Sequence, residues 1–328
     1  MQVSHEGYLK RTSLDEYRTQ GRGGLGAKGV KTKDDDFNEH LFIASTHNYL
    51  LIFTEFGKVF WKKVWEIPEG SKVSKGRAIQ NLINIEQDDK VKAFICTQDL
   101  KDEDYINNHY VIMATRKGQV KKTSLEQYSR PRANGINAIT IREGDELLEA
   151  KLTNGNSHVM MAVKSGKAIR FEENKTRPMG RGASGVRGIR LNSENDEVVG
   201  MIAVNDMDAN ILVVSENGYG KRSNLDDYRV TNRGGKGVKT ISITDKTGEL
   251  VTIKNVIDQD DLMIINKSGI AIRMEISGLR VMGRATQGVK LINLKGNDTI
   301  AAVAKVMKGE EEIEDVNDLE VNDGTIIE

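Results

Sequence analysis

The sequence predicts an all-β fold, a propeller-like disc of six four-stranded blades. Three observations carry that expectation. A hairpin signature recurs six times, a second glycine follows each turn at a nearly constant distance, and no stretch sustains the 3.6-residue apolar stripe of a long helix.

The signature is an apolar run, two polar residues, a glycine and a second arm that ends in bases. The first copy is partial, HEGYLKR (5–11), because only six residues precede Gly7. Full copies follow as LLIFTEFGKVFWKK (50–63), YVIMATRKGQVKK (110–122), VMMAVKSGKAIR (159–170), ILVVSENGYGKR (211–222) and LMIINKSGIAIR (262–273). The turn glycines Gly7, Gly57, Gly118, Gly166, Gly218 and Gly269 lie 50, 61, 48, 52 and 51 residues apart. Glycine accepts the positive φ that a tight hairpin turn imposes. The continuous apolar first arm suits a strand covered on both faces. Gly26, Gly76, Gly185, Gly237 and Gly288 each follow their turn glycine by 19 residues, and Gly135 follows by 17. Two further apolar stretches complete a unit, as in VKTISIT (238–244) and ELVTIKNV (249–256). The expected unit is strand, turn, strand, long loop, strand, strand, all in one blade. The terminal TIAAVAKV (299–306) could close the ring against the first unit, and truncation of a longer protein is compatible with the same pattern. The division expected is a β domain at 1–308 and an acidic, disordered tail at 309–328.

Charge narrows the function. The 48 basic and 48 acidic residues cancel, but nine acids and no Lys or Arg lie in 309–328. Without that tail the body carries an excess of nine positive charges. A basic body with an acidic tail suggests a polyanionic partner for which the tail competes. No apolar run is long enough to span a membrane. The single Cys96 excludes an intramolecular disulfide and suits a reducing, cytoplasmic setting.

The bases repeat with the units. Four residues before the second glycine stand Arg22, Lys72, Arg181, Arg233 and Arg284. The second arm ends in Lys10-Arg11, Lys62-Lys63, Lys121-Lys122, Arg170, Lys221-Arg222 and Arg273, while Lys31, Arg187, Lys239 and Lys290 follow the second glycine. Cations at equivalent points of each blade would form a ring on one rim, the pattern a phosphate backbone requires. The glycine-rich stretches QGRGGLGAKG (20–29) and TNRGGKG (231–237) add main-chain N–H groups that can nest an anion. GRGGLG matches the spacing of a dinucleotide loop, but no helix start follows it. Catalytic constellations are missing from the sequence: His5, His40, His47, His109 and His158 lack ligand spacing and read as turn residues. No cofactor is expected. Trp61 and Trp65 read as packing residues, and Asp34–Asp36 and Asp102–Asp104 as polar loops.

The run YLKRTSLDEYRTQGRGGLG (8–26), followed by five more units, resembles the C-terminal domain of DNA gyrase A. That family carries a box of form Q-(R/K)-R-G-G-(R/K)-G in its first blade. Gln20, Arg22, Gly23, Gly24 and Gly26 match it; Gly21 and Leu25 each replace a base, and Lys28 in the AKG insertion restores one charge. The fifth unit keeps a base at the sixth box position, Lys236. The resemblance implies a six-bladed β-pinwheel that binds and bends double-stranded DNA around its rim and gives strand passage a handedness. It implies the remainder of gyrase A and the whole of gyrase B as partners, with the cleavage and ATPase sites elsewhere. The domain of topoisomerase IV, whose box is often degraded, is the nearest alternative. A protein-interaction propeller of kelch or WD40 type is the alternative from another class, but no Trp-Asp or equivalent signature recurs.

Overall fold

The computed structural model describes residues 1–4, 7–13, 38–41, 44–71, 74–98, 100–268, 271–294, 296 and 298–307. The hairpins form where the apolar runs predict them: Tyr49–Thr54 with Lys58–Lys63, Tyr110–Thr115 with Gln119–Ser124, His158–Val163 with Lys167–Glu172, and Asn210–Ser215 with Tyr219–Asn224. Their first arms are buried along almost their whole length, as a strand with blades on both faces must be. A longer strand at the end of each unit pairs antiparallel with that first arm. These are Asn38–Leu41, Val91–Thr97, Leu147–Thr153, Val198–Val204, Leu250–Val256 and Ile300–Met307. They line the centre of the disc. Ile300–Met307 pairs within the sixth blade and lies against Asn38–Leu41 of the first, so the ring closes on itself.

The remaining strand does not stay in its own blade, contrary to the unit read from the sequence. Arg77–Ala78, Ile136–Asn137, Val186–Arg187, Val238–Lys239 and Val289–Lys290 each cross to the preceding blade and pair with its second arm. Every one of these blades is therefore finished by the next unit. Just beyond the crossing strand, the main-chain N–H of Ile79, Ala138, Gly188, Thr240 and Leu291 donates to the carbonyl of the preceding turn glycine. The edge is thereby covered. Among the described residues the sixth blade has three strands.

The second glycines are sites of close approach in this crossing. Gly185 has φ +84° and Gly237 φ +70°. A Cβ on Gly185 would sit 2.6 Å from the Val120 carbonyl oxygen, and one on Gly237 2.5 Å from that of Ala168. Gly135 makes the same approach, a Cβ there lying 2.9 Å from the Val59 carbonyl oxygen, although it follows its own turn by 17 residues. The loop must return to the preceding blade's second arm at one point, two residues after its turn glycine.

Core side chains fill the spaces between blades. Leu51, Phe53, Val59 and Trp61 of the second blade pack with Val111, Met113, Leu125 and Tyr128 of the third. Met160, Ala162 and Ala168 meet Ile211, Val213, Leu225 and Tyr228 two junctions further on. Each apolar arm thus serves two junctions. The acid run at Asp102–Asp104 has a local role: Asp102 caps the short helix Glu103–Asn108 by accepting from the Tyr105 amide at 3.0 Å.

Candidate nucleic-acid interface

The site begins with the parity of the second arm. Four residues past each turn glycine stand Arg11, Trp61, Lys122, Arg170, Arg222 and Arg273. In the second blade the equivalent of the cation is therefore Trp61, and Lys62 and Lys63 lie one and two positions beyond it. Most of these side chains reach into the next unit. Arg11 Nε donates to the Ile67 carbonyl at 2.9 Å, and Trp61 Nε1 to that of Tyr128 at 3.0 Å. Arg170 donates to the carbonyls of Leu225 and Tyr228 at 2.8 and 3.2 Å, and Arg222 to that of Leu279 and to Asp258. Lys122 is 5% exposed and pairs at 2.8 Å with Glu173, which is fully buried. The next unit returns a bond: Gly70, Met179, Thr231 and Met282 donate their amides to the carbonyls of Arg11, Lys122, Arg170 and Arg222.

One position earlier stand Lys10, Phe60, Lys121, Ile169, Lys221 and Ile272. Lys121, 0% exposed, donates to the carbonyls of Ala138 and Arg181 at 2.6 Å each. Lys221, 1% exposed, donates to that of Gly283 at 2.5 Å. Lys10 reaches those of Ser71 and Ser74 at 2.8 and 2.7 Å. Burial, with the nearby guanidiniums of Arg181 and Arg284, pulls Lys121 and Lys221 down to about 8.

The expectation that strand-end bases face a polyanion is therefore corrected at Lys10, Lys121, Lys122, Arg170, Lys221 and Arg222. All six are buried, and their charges are taken up by acceptors of the protein itself. A polar strand end is solvated only if nothing lies over it, and here the next unit's loop does. Arg273 is half exposed and donates to Asp261 at 2.6 Å. Lys62 approaches Glu66, and Lys63 lies 3.5 Å over the Tyr49 ring while bonding the His47 carbonyl. His158, read as a turn residue, accepts from Arg170 Nε at 3.0 Å, and burial with that guanidinium pushes its pKa down.

Other cations are exposed, and the crossing strands carry them. Arg77, Arg187, Lys239 and Lys290 stand on the outermost strands. Arg233 donates to the Arg187 carbonyl at 3.2 Å and to that of Lys175 at 3.0 Å, and Arg284 donates to the Lys239 carbonyl at 2.8 Å. Each loop arginine is thus laid against the preceding outer strand, which brings Arg187, Arg233, Lys239, Arg284 and Lys290 into one series along the rim. Arg181 is half-buried in the corresponding loop of the fourth blade, and Lys236 is exposed. Arg77 escaped the sequence reading because its base comes one residue earlier than in the other units. Gln20, Arg22, Gly23, Gly24, Gly26, Lys28, Lys31 and Lys72 lie outside the described residues. Among the described residues no three of His, Cys, Asp or Glu are grouped to hold a metal ion, and no helix is long and apolar enough to cross a membrane.

Fold and rim together define a class: a six-bladed β-propeller whose blades are completed by strands from the following unit and whose outer edge carries repeated cations. The chain belongs to the family described as the DNA gyrase C-terminal domain, beta-propeller, whose model matches residues 3–45, 48–98, 109–154, 157–205, 209–257 and 260–307. The A subunit of DNA gyrase from Staphylococcus aureus strain MRSA252 is 42% identical over 326 residues, covering 98% of this chain and 36% of that protein. Its counterpart from strain NCTC 8325 / PS 47 is 42% identical over 328 residues, 99% of this chain. The chain thus spans about a third of the length of the curated relatives it matches. Among solved structures, the C-terminal domain of DNA topoisomerase IV superposes with a TM-score of 0.77 at 25% identity, over 97% of both chains. A DNA gyrase A C-terminal domain superposes with a TM-score of 0.76 at 26% identity, over 93% of this chain and 98% of that one.

Proposed function

We propose that this chain binds duplex DNA along its rim and bends it, acting as the DNA-wrapping domain of a gyrase A protein. In the full enzyme, with the rest of gyrase A and with gyrase B, the bend presents the crossing segment with one handedness, so that strand passage introduces negative supercoils. The observation that carries this reading is the series of exposed cations on the crossing strands, Arg187, Lys239 and Lys290, with the half-buried Arg233 and Arg284 in the loops laid against them. Such a series tracks a phosphate backbone without reading bases, because its contacts repeat with the blades rather than with sequence. The first-unit box, around Arg22, Gly23 and Gly24, supplies a further phosphate contact and sets where the wrapped path ends. No catalytic step belongs to this chain, and no cofactor is assigned to it.

The similarity to the topoisomerase IV domain supports a second reading, in which the same rim binds DNA without fixing a handed wrap. One topology assay separates the two. Added to relaxed circular DNA before resealing, a wrapping domain leaves handed writhe, whereas the alternative leaves none. The electrostatic premise is tested by titration. If one or two cations per blade neutralise phosphates, the slope of log K against log salt falls at roughly −5 to −9. A slope shallower than about −2 would exclude wrapping along the rim.

A further inference from the structure

The third position of the second arm alternates around the ring. Lys10, Lys121 and Lys221 occupy it in the first, third and fifth blades, and Phe60, Ile169 and Ile272 in the second, fourth and sixth. We propose that Lys121 and Lys221, with Lys10 in the same role, are positioning residues for DNA contact, each anchoring the rim loop of the blade that follows. Every second rim loop is then held by an ammonium, and the loop over Ile169 is held without one. This rests on the reading of the rim as a DNA surface.

The contacts carry it. Lys121 binds the carbonyl of Arg181 itself, and Lys221 that of Gly283, next to Arg284. Lys10 binds the carbonyls of Ser71 and Ser74. Where isoleucine stands instead, the loop is packed from below: a Cβ on Gly235 would lie 3.5 Å from Ile169 Cδ1. Loops of both kinds share a main-chain stitch. Thr140 donates to Ala183, Ser242 to Thr286, and Arg190 to Gly235. The junction closed over Ile169 shows that the ring is built without an ammonium. What the lysine adds is a fixed carbonyl beside the rim cation and a second positive charge behind it.

That second charge gives the role a signature. Arg181 faces Lys121, together with the buried Tyr128, whose hydroxyl shares the Ala138 carbonyl. Arg284 and Asp227 face Lys221, with Tyr228 alongside. Both tyrosines are pushed up by burial, Tyr228 to about 12, so they stay neutral while the amines titrate. A phosphate that neutralises the guanidinium removes a like charge from the amine and favours its protonated form. DNA binding then takes up protons near pH 8.

The test is titration of a plain duplex at fixed ionic strength between about pH 7 and pH 9, with wild type and the Lys121→Ile/Lys221→Ile variant, isoleucine being native at position 169. If phosphate raises each amine by about one unit, wild-type affinity falls roughly fivefold per lysine across that range. The double variant binds more weakly at pH 7 and its profile is flat. Amide exchange without DNA quickens in residues 180–185 and 283–288 and stays unchanged in 231–237. A variant that keeps the wild-type pH profile, or the wild-type exchange in both loops, would overturn the proposal. Single variants and the wild-type profile alone serve if the double variant unfolds. An Arg187→Ala/Lys239→Ala/Lys290→Ala control separates the premises. If it binds as tightly as wild type, the rim reading fails and the DNA role with it, while altered loop exchange still marks the lysines as loop anchors.

Discussion

Gly185 shows how much one hydrogen decides at the residue scale. Its positive φ disfavours any side chain, and the Val120 carbonyl occupies the space a methyl group would need. Gly185→Ala is expected to lower unfolding free energy by about 2 kcal/mol in denaturant titrations. Gly180→Ala, with nothing within 4 Å of its Cβ, is expected to be near neutral. The buried lysines make a second prediction. Lys121 and Lys221 titrate near 8 when folded and near 10.5 when unfolded. Between those values the unfolded chain binds more protons, so their contribution to stability grows as pH rises from about 8 to 10.5. Paired melts of wild type and the Lys121→Ile/Lys221→Ile variant check it: the gap between them shifts in favour of wild type over that range.

At the scale of the element, the hairpin's second arm does two jobs with alternate residues. The second position feeds the core between blades, and the fourth reaches the next unit. The fourth position accepts arginine, lysine or tryptophan because each offers an N–H that can span to a carbonyl or a carboxylate. The Lys122–Glu173 pair is the most buried of these bolts. Glu173 also accepts from the Thr153 hydroxyl at 2.6 Å and the Ser157 amide at 3.2 Å. Removing one partner leaves a desolvated charge, so Glu173→Ala is expected to cost about 3–5 kcal/mol. Denaturant unfolding measures the loss. A second substitution, Lys122→Met, should recover part of it by removing the stranded ammonium; no recovery would mean that Glu173 acts through Thr153 and Ser157 instead.

Across the whole molecule, charge is sorted by location. On the hairpin-turn side an ion-pair belt runs from blade to blade: Lys92 with Glu55 and Glu146, Arg116 with Glu146 and Glu197, and Lys164 with Glu197 and Glu249. Every base in it is paired, three bases against four acids. The loops and crossing strands carry unbalanced cations, and the acids that offset them in the total lie in 309–328, outside the described residues. A tethered polyanion meets the rim at millimolar effective concentration. Deleting 309–328 is therefore expected to tighten duplex binding at low salt and to change it little once salt screens the tail. Paired titrations of both forms at two salt concentrations check it, and equal affinities at low salt would leave the tail a solubilising appendage.

The repeat, the hairpins and the all-β class were legible in the sequence because they are local. An apolar arm, a turn glycine and the second glycine all lie within a span of about 25 residues. The second glycine was also legible as a landmark, and its purpose was not, since the carbonyl that excludes a side chain there belongs to the preceding unit. The same boundary separates the two sets of cations. Lys121 and Arg187 are both bases near strand ends, and nothing within either stretch distinguishes them. Only the crossing of one strand per unit into its neighbour decides: the loop that crosses buries Lys121 beneath its carbonyls and carries Arg187 out to the rim.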